Sequence, residues 1–229
     1  MGRRSGIHQR QDGRWYARYK KGENVEGKAR YGYIYGQTKE EVERRLAEFT
    51  DRYPTSLNLL ILGAGTHGRD VKEIAESLHM FEKIAFLDDA VVADDVIGKC
   101  KDLYVFRNEY PCAFIAIGDS ETRKKYAEEL RRYHFLIPRI VAPSAVLSPN
   151  AKIGEGTVVM QQANVGAAEI EEFCIVAQGS MISSEATIGE YALIDSGGIV
   201  ARGAVVPAGF FVNSGETFAK DGLPQVKEA

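Results

Sequence analysis

The chain predicts an α/β protein that runs into a β-solenoid, with a small sheet-and-helix module in front. Three observations carry this. An aliphatic residue recurs at almost every sixth position from Leu147 to Val212. A continuous apolar run, Leu57-Asn58-Leu59-Leu60-Ile61-Leu62, enters directly into Gly63-Ala64-Gly65-Thr66-His67-Gly68. The first fifty residues alternate aromatic and basic residues with apolar ones and then turn to a helical spacing.

The N-terminal module spans residues 1–53. In Arg14-Trp15-Tyr16-Ala17-Arg18-Tyr19, one face holds Trp15, Ala17 and Tyr19, and the other holds Arg14, Tyr16, Arg18 and Lys20, because side chains alternate along a strand. Arg30-Tyr31-Gly32-Tyr33-Ile34-Tyr35 reads as a second aromatic strand, and Gly6 to Arg10 as a shorter third. Asp12-Gly13 is a hairpin turn signal. Thr38 opens a helix with Glu41 three residues on as a capping box, and Val42, Leu46 and Phe49 form its apolar stripe. A three-stranded sheet with one helix on one face follows, its free face basic and aromatic.

Residues 54–140 form the second domain. After Pro54 the apolar run suits a buried parallel strand. The glycine turn and a helix over about Arg69 to His79 follow, then the strand Ile84-Ala85-Phe86-Leu87, which ends in Asp88-Asp89. The acidic pair lies about 20 residues past the last glycine, the layout of a Rossmann-like βαβ unit. A third strand, Ala113 to Ile117, runs into Gly118-Asp119, and a charged helix over about Ser120 to Tyr133 returns the chain. The glycines bring backbone to a phosphate, and the helix N-terminus supplies amides. The unit is short for a dinucleotide and suits a mononucleotide or nucleotide sugar.

Residues 141–229 carry the ladder: Leu147, Ile153, Val159, Val165, Ile170, Val176, Ile182, Ile188, Ile194, Val200, Val206 and Val212. A small residue stands two before each, from Ala145 to Ala204, with Phe210 breaking the rule. Both series slip by one residue together, between Val165 and Ala168. No helix has a period of six; a parallel solenoid with three six-residue strands per turn does. The aliphatic and small residues point inward. Twelve hexads predict four coils, with the ladder closing over Val206–Gly215 and shortening any groove along it.

Composition bounds the rest. No run approaches 18 apolar residues, so no membrane span is expected. Cys100, Cys112 and Cys174 have no metal spacing, which fits a reducing cytoplasm. Residues 1–53 hold 13 Lys and Arg against 8 Asp and Glu, a balance of +5, while the remainder balances at −8. The two ends are expected to do different jobs.

On the motifs Ile61 to Gly68, Phe86-Leu87-Asp88-Asp89, Ile117-Gly118-Asp119 and the hexad ladder, residues 57–223 resemble the NeuD/PglD group of hexapeptide-repeat sugar acetyltransferases. The resemblance implies a left-handed β-helix, a homotrimer and acetyl-CoA between neighbouring prisms. It also implies a nucleotide-activated sugar of the UDP- or CMP-sugar type on the Rossmann-like domain, and no metal. By motif position, Gly63, Gly65, His67, Gly68, Asp88, Asp89, Gly118 and Asp119 would contact that ligand.

The group's base histidine sits in a hexad of the form small-Val-Val-Glu-His-Asp. The matching hexad here is Ser180-Met181-Ile182-Ser183-Ser184-Glu185, so Ser184 holds the place of the base. A second histidine of the group matches Leu193. The chain's four histidines, His8, His67, His79 and His134, all lie outside the ladder. Acetyl transfer needs a base with a pKa near the operating pH. Ser184 cannot serve; Glu185, if raised by burial, and His67 are the candidates. The function implied is that of a sugar O- or N-acetyltransferase homologue with impaired catalysis. The alternatives are a sugar-nucleotide-sensing DNA-binding regulator and a non-catalytic scaffold.

Residues 1–53 resemble the arm DNA-binding domains of tyrosine integrases, on the run Gly13 to Lys20 and on the stretch from Tyr31-Gly32 to Thr38. That implies DNA contact by Arg14, Tyr16, Arg18, Lys20 and Arg30. The alternative is a basic sheet that only tethers the remainder.

Overall fold

A computed structural model describes residues 7–23, 29–52 and 57–220. The chain divides into two compact units, residues 1–56 and 57–229. No helix among the described residues is long and apolar enough to cross a membrane.

In the first unit, β1 (Ile7–Gln9), β2 (Trp15–Glu23) and β3 (Ala29–Gly36) form an antiparallel sheet in that order, followed by α1 (Lys39–Arg52). The turn before β2 is set by Asp12, whose carboxylate accepts the Arg14 amide at 3.2 Å, and by Gly13 at φ +86°. Ala17 and Val42 are fully buried between sheet and helix. Thr38 Oγ1 accepts the Glu41 amide at 3.1 Å, and the Glu41 carboxylate accepts the Gln37 amide at 2.7 Å. The return bond of the capping box therefore lands one residue earlier than expected. The Phe49 side chain lies outside the described residues.

The second unit opens with a four-stranded parallel sheet. Its strands are β4 (Leu59–Leu62), β5 (Ile84–Leu87), β6 (Val96–Gly98) and β7 (Cys112–Ile115), in the order β6-β5-β4-β7. Helix α2 (Thr66–Ser77) connects β4 to β5, and α3 (Ser120–Arg132) follows β7. The sequence did not disclose β6, which follows a polar stretch, or the 3-10 helix Cys100–Phe106.

The β-helix follows directly, with fourteen two-residue strands from Ile140–Val141 to Thr217–Phe218 among the described residues. Three parallel sheets of five, five and four strands close the prism. One face runs through Ile140–Val141, Val158–Val159, Ile175–Val176, Leu193–Ile194 and Phe211–Val212. A second runs from Val146–Leu147 to Thr217–Phe218, and the third from Lys152–Ile153 to Val205–Val206. The ladder is thus longer than four coils. It does not close after Val206, since Phe211–Val212 and Thr217–Phe218 continue the parallel pairing.

The interior is as the spacing required. Val159, Val176, Ile188, Ile194 and Val206 are fully buried, with Ala163, Cys174, Ala192 and Ala204 beside them. Most corners are β-turns closed by a main-chain bond, such as Ala186 N–H to Ser183 O at 3.3 Å. In most of these the third residue is left-handed, as at Glu185 (φ 67°) and Tyr191 (φ 60°), the geometry of a type II turn. The slip in the ladder is a corner shortened to Gly166-Ala167-Ala168, closed by Ala168 N–H to Gly166 O at 2.8 Å.

The first face is not left to solvent. Its outward residues Ile140, Val158 and Ile175 are buried against Val71, Ile74 and Ala75 of α2 in one apolar cluster. The sheet and the β-helix are therefore one body, joined through α2. Farther along the same face, Leu193 is half-buried and Phe211 is 48% exposed. The cover ends there, and the groove described next begins.

Candidate functional site

All four strands of the parallel sheet point their carboxyl ends at one edge. The chain leaves β4 for β5 on one side and later places β7 on the other, so the edge between β4 and β7 is a switch point, where such sheets bind ligands. Gly63 turns there at φ +100°, so close to β7 that a Cβ would lie 2.6 Å from the Ala116 carbonyl oxygen. Gly68 packs α2 onto that turn: a Cβ would lie 2.0 Å from the Gly63 carbonyl oxygen. Both glycines serve close packing. Gly65 and Gly118 differ, since a Cβ at either meets nothing within 4 Å. Their backbone faces open space. Gly65 caps α2 with extended backbone and no side-chain cap bond, and the first turn carries no acidic residue.

Two cavities adjoin here, sharing Gly118 and Leu193. One, about 280 Å³, lies between Thr66, His67 and Asp70 of α2 and Met160, Ile175, Ala177, Gln178, Leu193 and Asp195 of the β-helix. The other, about 400 Å³, is lined by Gly118, Asp119, Ser120, Arg123, Tyr191, Leu193, Gly209 and Phe211. Together they make a groove along the first face of the prism.

His67 is the notable group in the first cavity. Its Nε2 is buried without a hydrogen-bond partner. Burial holds its pKa below the usual imidazole value, with the Arg123 charge acting in the same direction and Asp70 opposing. The ring is therefore neutral at pH 7. Asp70 Oδ2 accepts from Gln178 Nε2 at 3.3 Å, and Gln178 Oε1 accepts from Ser196 Oγ at 3.3 Å.

Arg123 was not foreseen. It is 1% exposed and donates to four main-chain carbonyls. Two lie in the β7–α3 loop, Ile117 at 2.9 Å and Gly118 at 2.6 Å; two lie at a β-helix corner, Phe173 at 3.1 Å and Tyr191. Its burial lowers its pKa. The rings of Phe173 and Tyr191 stack beside it, centroids 5.4 Å apart. The sequence carried a signal: Arg123, Tyr126, Ala127 and Leu130 share one helical face, and the arginine belongs to that buried stripe.

Asp88 and Asp89 were expected to face the ligand. Asp88 Oδ2 accepts the Ala64 amide at 2.7 Å, and Oδ1 accepts Ala90 at 2.8 Å and Val91 at 2.7 Å. Burial pushes this carboxyl up, but the three amides outweigh it and the net shift is downward. One oxygen is spent on the glycine loop and the other on the turn that follows Asp88. Asp89 is exposed, with Oδ1 accepting the Cys100 amide at 3.1 Å. Asp119 caps α3, accepting the Thr122 amide at 2.8 Å.

Ser184 and Glu185 lie elsewhere, at the corner between the second and third faces, away from the covered face. Ser184 Oγ accepts the Ala167 amide at 3.2 Å and so supports the shortened corner. Glu185 is exposed and lies 3.5 Å from Arg202, so the burial that a base there requires is missing from the single chain. The structure does not bring Ser184 or Glu185 to His67 within one chain.

In the first unit, cross-strand pairing sets Tyr16 opposite His8 and Tyr35, and Arg18 opposite Tyr33. Arg14 is held by Asp12 at 2.8 Å. The Arg18 guanidinium stacks 4.2 Å from the Tyr31 ring centre. Lys20 and Arg30 lie in β2 and β3, and their side chains fall outside the described residues.

Residues 58–130 match the family model of the PglD N-terminal domain. Residues 57–223 resemble the PglD-type sugar acetyltransferases. The acetyltransferase domain of PglB from Neisseria gonorrhoeae is 26% identical, with a TM-score of 0.57 over 74% of this chain and 99% of that one. PerB from Caulobacter crescentus, solved with CoA and GDP-perosamine, is 24% identical, with a TM-score of 0.58 over 73% and 96%, and speaks to the fold. A curated relative, UDP-N-acetylbacillosamine N-acetyltransferase of Bacillus subtilis, is 32% identical over 110 residues, 45% of this chain. The chain spans about half the length of that relative, 51%. The left-handed parallel β-helix expected from the resemblance is the fold observed.

Proposed function

We propose that residues 57–223 bind a nucleotide-activated amino sugar, of the UDP- or CMP-sugar type, at the β4–β7 edge. In this reading the chain is a sugar acetyltransferase homologue without its own general base. The observation that carries the first half is the open backbone of Gly65 and Gly118 beside a neutral His67 whose Nε2 has no partner. Bare amides at a helix N-terminus suit a diphosphate, and a buried imidazole nitrogen suits a hydroxyl or amine donor on the sugar. Gly63, Gly68, Asp88 and Asp119 shape the loops; Asp89 keeps one carboxylate oxygen for the ligand.

Relatives supply the classes. One is named for UDP-N-acetylbacillosamine. The PglB domain, 26% identical, was solved with acetyl coenzyme A at a TM-score of 0.56. Acetyl-CoA, when bound, supplies an activated thioester. On this chain the corner that would meet the acceptor amine offers Ser184, which holds no proton-accepting group near pH 7. We read the protein as a cytoplasmic homotrimer, supported by three free buried cysteines and by exposed Val146 and Met181 on the second face.

The test is release of CoA thiol from acetyl-CoA with a UDP-amino sugar. The unmodified chain is expected to show little or none. Ser184→His is expected to restore turnover, since general-base catalysis contributes about 100- to 10,000-fold. The uninterrupted ladder keeps the groove wall in place for it. Robust turnover by the unmodified chain overturns the base-less reading; His67→Gln and Glu185→Gln then identify the base.

A second reading is favoured by the first unit, whose free face carries Arg10, Tyr16, Arg18 and three further tyrosines. We read that face as a nucleic-acid contact, which makes the chain a sugar-nucleotide-responsive regulator. Salt-dependent DNA binding altered by the nucleotide sugar supports it.

A further inference from the structure

We infer that the tyrosine pocket on the first unit's sheet receives an unpaired nucleobase of a single-stranded nucleic acid. This rests on the reading of that face as a nucleic-acid contact and specifies it. Tyr16, Tyr33 and Tyr35 stand with ring centres 6.1–6.3 Å apart. They surround a cavity of about 250 Å³ whose fourth wall is Arg10. Tyr33 is 50% exposed, and a sheet this small has no core reason to present such rings to water.

The charges select the ligand's sign. Arg10 lies 3.6 Å from Asp12, and Arg14 lies 2.8 Å from the same carboxylate, so one carboxylate between two guanidiniums leaves a net +1. Arg18 adds a further cation on the face, and its unit balances at +5. An anionic strand with flat apolar rings meets both demands.

The geometry also selects strandedness. Among the described residues of the face, Arg14 is folded onto Asp12 and the Arg18 guanidinium sits over the Tyr31 ring. Beside them stand the faces of Tyr16, Tyr33 and Tyr35, tilted 24–52° to one another, as a platform on which a base can stack. A duplex hides its base faces in the stack, whereas a single strand offers them, and every base has one. The phosphates on either side of the stacked base then run past Arg10 and Arg18.

The experiment uses the full chain, a labelled oligothymidine and a duplex of equal length, read by fluorescence anisotropy at low salt. The single strand is expected to bind more tightly than the duplex. Tyr33→Ala is expected to weaken it by about 5- to 150-fold, and Tyr33→Phe to keep most of the affinity. Because Tyr33 is exposed, an unchanged melting temperature excludes misfolding. Preference for the duplex, or an unchanged affinity in Tyr33→Ala, overturns the pocket while leaving the nucleic-acid reading of the face intact. Competition by heparin that is indifferent to Tyr33 also overturns it. Binding of neither nucleic acid overturns both.

Discussion

Gly65 caps α2 and Gly68 lies in its first turn, and the two are expected to fail in opposite ways. A Cβ on Gly65 meets nothing within 4 Å, and its φ of −70° is open to any residue. Gly65→Val therefore leaves the fold intact and fills the approach to the α2 amides. A Cβ on Gly68 would lie 2.0 Å from the Gly63 carbonyl oxygen, so Gly68→Val must displace α2 from the sheet. The magnitude follows from linkage. A ligand at 100 times its Kd stabilises by about 2.7 kcal/mol. For a domain of this size each kcal/mol moves Tm by about 2–4 °C, so a bound UDP-amino sugar should raise Tm by about 5–11 °C. Gly65→Val should melt within a degree or two of the unmodified chain and show no such rise. Gly68→Val should lose about 1–3 kcal/mol or more from overpacking before any ligand is added. The assay is thermal melting with and without the nucleotide sugar. A full ligand shift in Gly65→Val refutes the open-edge site. An unperturbed Gly68→Val refutes the packing role.

Arg123→Met strands four carbonyls and should cost on the order of 2–4 kcal/mol, read as a lower denaturation midpoint; a neutral result would show that the clamp is not needed. Burial holds the His67 pKa below 6.5. The unfolded chain then binds the extra proton first, so His67's contribution is complete above pH 6.5 and is lost as pH falls through its folded value. Unfolding at pH 5 and pH 7.5 should show this, and His67→Gln should flatten it. Burial pushes the thiols of Cys100 and Cys112 up to about 11 and that of Cys174 up to about 12. A thiol reagent should therefore find no cysteine in the native chain and all three after denaturation; rapid native labelling would contradict the burial.

The ladder was legible because its physics is local. A strand that packs inward every six residues must show it in sequence, and even the shortened corner at Gly166-Ala167-Ala168 appears as a paired slip. Its ends were not legible for a related reason. Val141 and Phe218 continue the inward-facing six-residue series, but Arg139 and Glu216, like Phe210, occupy slots that otherwise hold a small residue. The end coils have no neighbour above them to crowd that corner, so the rule lapses there. The site was legible only in part. Spacing located the glycine loop but could not separate Gly65, which is open, from Gly63 and Gly68, which are packed. It located Asp88 but not the three amides that occupy it. Arg123 acts through carbonyls some 50 and 68 residues distant in sequence, a relation that no local pattern records.

The placement of Ser184 sets the last prediction. The edge proposed for the nucleotide adjoins the first face of the prism, where α2 covers Ile140, Val158 and Ile175. Ser184 stands at the corner between the other two faces, so a sugar held at Gly65 would reach that corner only on a second copy of the chain. In a cyclic trimer each interface is heterologous and pairs the loop of one subunit with a corner of the next. Two variants can then complement each other. The unmodified chain supplies an open loop and no base. The double variant Gly65→Val, Ser184→His supplies a base and a blocked loop. Each alone should be inactive, while chains co-expressed in equal amounts and mixed at random should place an open loop against a histidine in about one quarter of sites. Turnover by the mixture, near a quarter of that of Ser184→His alone, is the expected result. Turnover by Ser184→His alone without any from the mixture would mean that loop and corner meet within one chain, against the topology.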